Sequence, residues 1–127
     1  MNEIKSYKDL LIWQKGISIT NSVYTLLKSF PNEEMYALTS QLKRSTVSIL
    51  SNIAEGFGRN SVKSYLNFLK ISRGSLFELE TQLIIAENQN YIQDIELYNK
   101  IMGLIIEEGK MINSYINKLE QNLKNYV

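Results

Sequence analysis

Residues 62–83 read VKSYLNFLKISRGSLFELETQL, and the reading of this stretch decides the fold. Val62, Leu66, Leu69, Arg73, Leu76, Glu80 and Leu83 follow one another at alternating steps of four and three. That is the period of a helix face and not the alternation of a strand. Two charges on an otherwise apolar seam also need an explanation, because burying an unpaired charge costs several kcal/mol.

The same rhythm extends in both directions. Downstream, from about Asp94 to Lys124, it returns in Tyr98, Met102, Ile105, Gly109, Ile112, Ile116, Leu119 and Leu123. Ile101, Leu104, Met111 and Tyr115 form a second row beside that seam. Upstream, about Glu33 to Phe57 places Leu38, Leu42, Ser45, Ile49, Asn52 and Gly56 on one face, with Asn32 as expected N-cap. From about Asp9 to Ser29 one stripe holds Leu10, Trp13, Ile17, Thr20, Tyr24 and Leu27. A flanking stripe holds Ile12, Ile19, Val23, Leu26 and Phe30.

Chain breaks fall only at Phe30-Pro31-Asn32, at Gly56 to Asn60, where Asn60 or Ser61 caps the next helix, and at Asn88 to Tyr91. Three breaks make four long helices on short turns. The predicted fold is therefore all-α, an antiparallel up-down-up-down four-helix bundle formed as one domain over residues 1–127. The broad apolar stripes of the first and last helices lead us to expect self-association, the alternative being that the extra row lies at the edge of a generous core.

Composition narrows the chemistry. The 127 residues include no His and no Cys, which excludes Cys/His zinc sites, thiol nucleophiles, disulfides and Ser-His-Asp triads. No cofactor is expected. The amino-terminal residues do not read as a signal peptide and no apolar run reaches membrane-spanning length, so a cytoplasmic protein without a membrane partner is expected. Gly56 and Gly58 are too few for a phosphate-binding loop and read as a helix end.

Antiparallel pairing of the second and third helices places residue 44 opposite roughly residue 75. The expected polar network, crossing helices, is Arg44, Glu55, Arg73, Glu78 and Glu80, serving register or interface. Glu78 and Glu80, two positions apart, face different directions, which argues against acid/base catalysis. Gly74 is expected to admit a close neighbour, with Trp13 a candidate. The small Ser and Thr side chains of the second helix permit tight packing.

The runs Asp9 to Lys15, Gln41 to Arg44, Ser48 to Arg59 (SILSNIAEGFGR) and Arg73 to Leu83 (RGSLFELETQL) closely resemble a known family. It comprises the small bacterial four-helix-bundle proteins first noticed as reading frames in intervening sequences of 23S ribosomal RNA genes. The resemblance covers about Tyr7 to Ile92. It implies a homopentamer with no established enzymatic activity. A relative similar in fold, the accessory variability determinant protein of diversity-generating retroelements, implies nucleic acid and a reverse-transcriptase-like protein as further partners. Leu50 stands where the family often has Pro, which implies a less kinked second helix.

Charge bears on that choice. Residues 1–75 hold ten Lys plus Arg against five acids and residues 76–127 hold four against eight, although the net charge is only +1. Opposed signs favour head-to-tail assembly. The alternative is an RNA- or DNA-binding face of Lys8, Lys15, Lys43, Arg59, Lys63 and Lys70. The reading is a non-enzymatic, homo-oligomeric scaffold that binds a protein partner, with nucleic-acid binding as the second reading.

Overall fold

The computed structural model describes residues 3–124. Four helices account for most of it: α1 (Leu11–Leu27), α2 (Leu38–Phe57), α3 (Val62–Asn88) and α4 (Ile95–Lys124). Short 3-10 turns precede α1 at Tyr7–Asp9 and α2 at Asn32–Glu34. α1 packs on α2 and α4, and α3 packs on the same two, so the helices form a square in chain order. This is the expected all-α up-down-up-down bundle.

Local chemistry sets the ends. Ser61 caps α3 by accepting the Ser64 N–H at 3.1 Å. Asn90 adopts φ 62°, and the Tyr91 N–H reaches the Ala86 carbonyl while the Asn90 N–H reaches that of Glu87. That is a Schellman stop with Asn where glycine is common. Asp94 opens α4 by accepting the Leu97 N–H at 3.0 Å.

The start of α2 departs from expectation. Asn32 does not cap it; the chain makes a 3-10 turn first, and the helix begins at Leu38. Glu34 provides the cap, accepting the Leu38 N–H through Oε2 at 3.2 Å and the Tyr91 hydroxyl through Oε1 at 3.0 Å. One carboxylate thus ties the α1–α2 connection to the α3–α4 connection at the same end of the bundle. Past Leu50, α2 runs unbroken, as a side chain with a free backbone N–H allows.

The core is a single apolar cluster that includes Ile19, Val23, Leu26, Leu42, Ile49, Ile53, Leu69, Leu76, Leu79, Leu83, Ile101, Ile112 and Ile116. On α1 the whole flanking stripe is buried, while of the first stripe Leu10 and Leu27 are buried and Tyr24 is exposed. On α4 the seam buries Tyr98, Ile105, Ile112 and Ile116 as the spacing placed them and slips back by one residue at two positions. Ile101 and Glu108 are buried where Met102 and Gly109 were expected. Leu104, Met111 and Tyr115 pack against the cluster, so most of the second row belongs to the core's edge.

α2 and α3 lie closest together because their contact residues are small. Ser72 Oγ donates to the Ile49 carbonyl at 2.8 Å, Ser45 Oγ to Gln82 Oε1 at 2.8 Å, and the Ser48 and Ser75 hydroxyls meet at 2.7 Å. Near the turn, a Cβ on Gly56 would lie 2.8 Å from Phe68 Cβ and 2.8 Å from Tyr65 Cδ1. Only glycine permits that approach.

Candidate functional site

The α2–α3 hydroxyl contacts form the floor of an open groove. Gln41, Arg44 and Ser48 line it from α2, and Ser75, Glu78 and Gln82 from α3. The antiparallel pairing thus brings Arg44 and Glu78 to one opening. They do not pair: the ion pairs among the described residues are Lys15–Glu107, Arg59–Glu55 and Lys70–Glu120. The Arg44 guanidinium donates only to Ser40 Oγ, at 3.3 Å.

The five-residue polar network does not form within one chain. Arg73 turns to α4, donating to Asn113 Oδ1 at 2.9 Å, because its position lies on the α3–α4 edge. Glu55 pairs one turn on with Arg59 at 3.4 Å. Glu80 stays half-buried on α3. Only Arg44 and Glu78 share a site.

Gly74 also corrects the expectation. A Cβ there would meet nothing within 4 Å, and Trp13 packs instead edge-on against Tyr7 with ring centroids 5.4 Å apart. Gly74 therefore sits on an open outer face of α3. Ile71, Phe77, Ile84 and Ile85 lie along that face, each at least 44% exposed.

Five of the six cations considered for nucleic acid have partners within the chain. Lys15 and Lys70 are held by Glu107 and Glu120 on α4, and Arg59 pairs with Glu55 while lying 4.7 Å from the Phe68 ring centroid. Lys43 lies over Tyr24 and Lys8 over Tyr7. Lys63 is exposed on the first turn of α3.

The ionisable group that is fully buried is one the sequence reading missed. Glu108 has no exposed surface and neither carboxylate oxygen has a hydrogen-bond partner. It lies beside Gly16, where a Cβ would come within 2.7 Å of Leu50 Cδ2 and 3.4 Å of Glu108 Oε2. Burial pushes its pKa up to about 8, and Lys15 only partly offsets this. Its neighbour Glu107 shows the opposite: exposed, and held below the usual range by the hydrogen bond from Lys15.

No group of three or more His, Cys, Asp or Glu suited to a metal ion occurs among the described residues. Among them, too, no helix is long and apolar enough to cross a membrane. A family model described as 23S rRNA-intervening sequence protein matches residues 8–114. No curated protein matches the chain. A solved structure of a protein of unknown function from the S23 ribosomal protein family of Bacteroides thetaiotaomicron is similar, at 27% identity and a TM-score of 0.75. The alignment covers 84% of this chain and 98% of that one.

Proposed function

The chain belongs to the 23S rRNA-intervening sequence protein family, and from that premise we propose that it is a non-enzymatic, homo-oligomeric scaffold that holds a protein partner. The ring is pentameric, as the family resemblance implies. One observation carries the reading: Arg44 and Glu78 face a single open groove without pairing. The exposed apolar residues around Gly74 on α3 add surface that a neighbouring helix can approach closely.

In this reading Arg44 of one copy meets Glu78 of the next. Arg44→Glu and Glu78→Arg are each expected to weaken assembly at least tenfold, and the double reversal to restore it. Both side chains are exposed, so circular dichroism should show each variant folded. Single reversals that leave the assembled mass unchanged by light scattering would overturn the proposed contact.

Nucleic-acid binding has less support, because three of the six candidate cations are already ion-paired. Labelled structured RNA titrated at two salt concentrations separates the readings. The scaffold reading expects no binding at low salt, where electrostatic affinity is greatest. Saturable, salt-sensitive binding would favour the alternative.

A further inference from the structure

The 3-10 turn before α1 and the middle of α4 enclose a depression of about 630 Å³, away from the α2–α3 groove. Its apolar surface comes from Ile4, Leu10, Leu11, Ile12, Met111 and Tyr115. Leu11 is 69% exposed and Ile4 49%, a large apolar surface for water to cover. A smaller depression of about 390 Å³ continues from it, sharing Leu11 and Met111 and reaching Leu104. From Lys118 to Leu104 the seam runs about 20 Å along α4, at a rise of roughly 1.5 Å per residue.

The polar rim is one-sided. Lys110, Ser114 and Lys118 stand at successive steps of four on α4 and all line the depression. Neither lysine forms an ion pair among the described residues. Asp9 is the acid present, and its Oδ2 already accepts the Lys5 and Ser6 backbone N–H groups at 2.8 and 3.1 Å. Tyr65 donates its hydroxyl proton to the Tyr115 oxygen at 3.1 Å, which leaves the Tyr115 proton available to another acceptor. Donors and positive charge therefore border an apolar trough.

We propose that this α1–α4 groove binds a small amphipathic anion, with its tail along Leu11 and Met111 and its head at Lys110 and Lys118. The volume lies in the range of small-molecule sites, about 300 to 1,000 Å³. Charge complementarity selects an anionic head over a neutral or cationic one. The ligand class is a medium-chain carboxylate or its equivalent.

The test titrates decanoate, and 1-decanol as its neutral counterpart, into the full chain. Calorimetry and the fluorescence of the single tryptophan, Trp13, report binding. Saturable decanoate binding is expected, weakened about tenfold in the Lys110→Gln, Lys118→Gln double variant, a loss of about 1.4 kcal/mol. 1-Decanol is expected to bind more weakly and equally to both proteins. Leu11→Asp, at an exposed position, is expected to abolish both without unfolding the chain. No saturable binding, or equal response to acid and alcohol, would overturn the proposal. A change in assembled mass for Leu11→Asp would also overturn it, by making this face a contact between copies.

Discussion

Glu108→Gln is expected to stabilise the bundle by about 3 kcal/mol at pH 7 and by less than about 1 kcal/mol at pH 5. The cause is the α4 carboxyl buried beside Gly16 of α1 with no hydrogen-bond partner. Its ordinary value is 4.5, and burial raises it to about 8 in the fold. Between those values the unfolded chain releases a proton that the folded chain retains. Stability therefore falls as pH rises through this window, and the penalty is absent below it. The charged group acting on Glu108 is Lys15 from α1, whose ammonium is engaged by Glu107. Glu108→Leu is expected to gain more, since it also removes the unpartnered oxygens. Urea unfolding from pH 5 to pH 8 checks this. A wild-type stability that does not fall over that range, or a Gln variant no more stable at pH 8, would contradict the assignment.

Gly56→Val is expected to cost about 3 kcal/mol or more, in the range of severe overpacking. Even the first added carbon meets Phe68 Cβ at 2.8 Å. That atom is fixed to the α3 backbone, so relief requires the helices to part and the Ser72–Ile49 bond to lengthen. Gly103 on α4 provides the opposite case, with nothing within 4 Å of an added Cβ. Gly103→Ala is expected to gain about 0.5 to 1 kcal/mol from helix propensity alone. Denaturant midpoints for Gly56→Ala, Gly56→Val and Gly103→Ala check the ordering. Stability losses of similar size at both glycines would show that backbone freedom, and not helix approach, governs Gly56.

The helices were legible because every segment alternates steps of three and four, and because Ser61 and Asn90 act where short polar residues are expected to cap and stop helices. The start of α2 was not, since Glu34 caps it from outside the helix and a 3-10 turn intervenes. Glu108 was hidden by a local one-residue slip on α4, between Ile105 and Ile112, which both lie where the spacing placed them. Spacing put Gly109 on the seam, and Glu107-Glu108 reads as a solvated pair unless the exact face is known. The groove itself was half legible. Antiparallel arithmetic brings Arg44 toward Glu78, but it cannot tell which edge of α3 a residue occupies, and Arg73 lies on the α4 side. Gly74 was recognised as a place for close approach, yet no part of its own chain fills it.

Assembly is the claim on which the functional reading rests. Its most direct measurement is the mass of the native chain by light scattering during size exclusion, across a dilution series at micromolar concentration. The scaffold reading predicts a stable species of about five times the 14.7 kDa chain. A 14.7 kDa monomer throughout would contradict it.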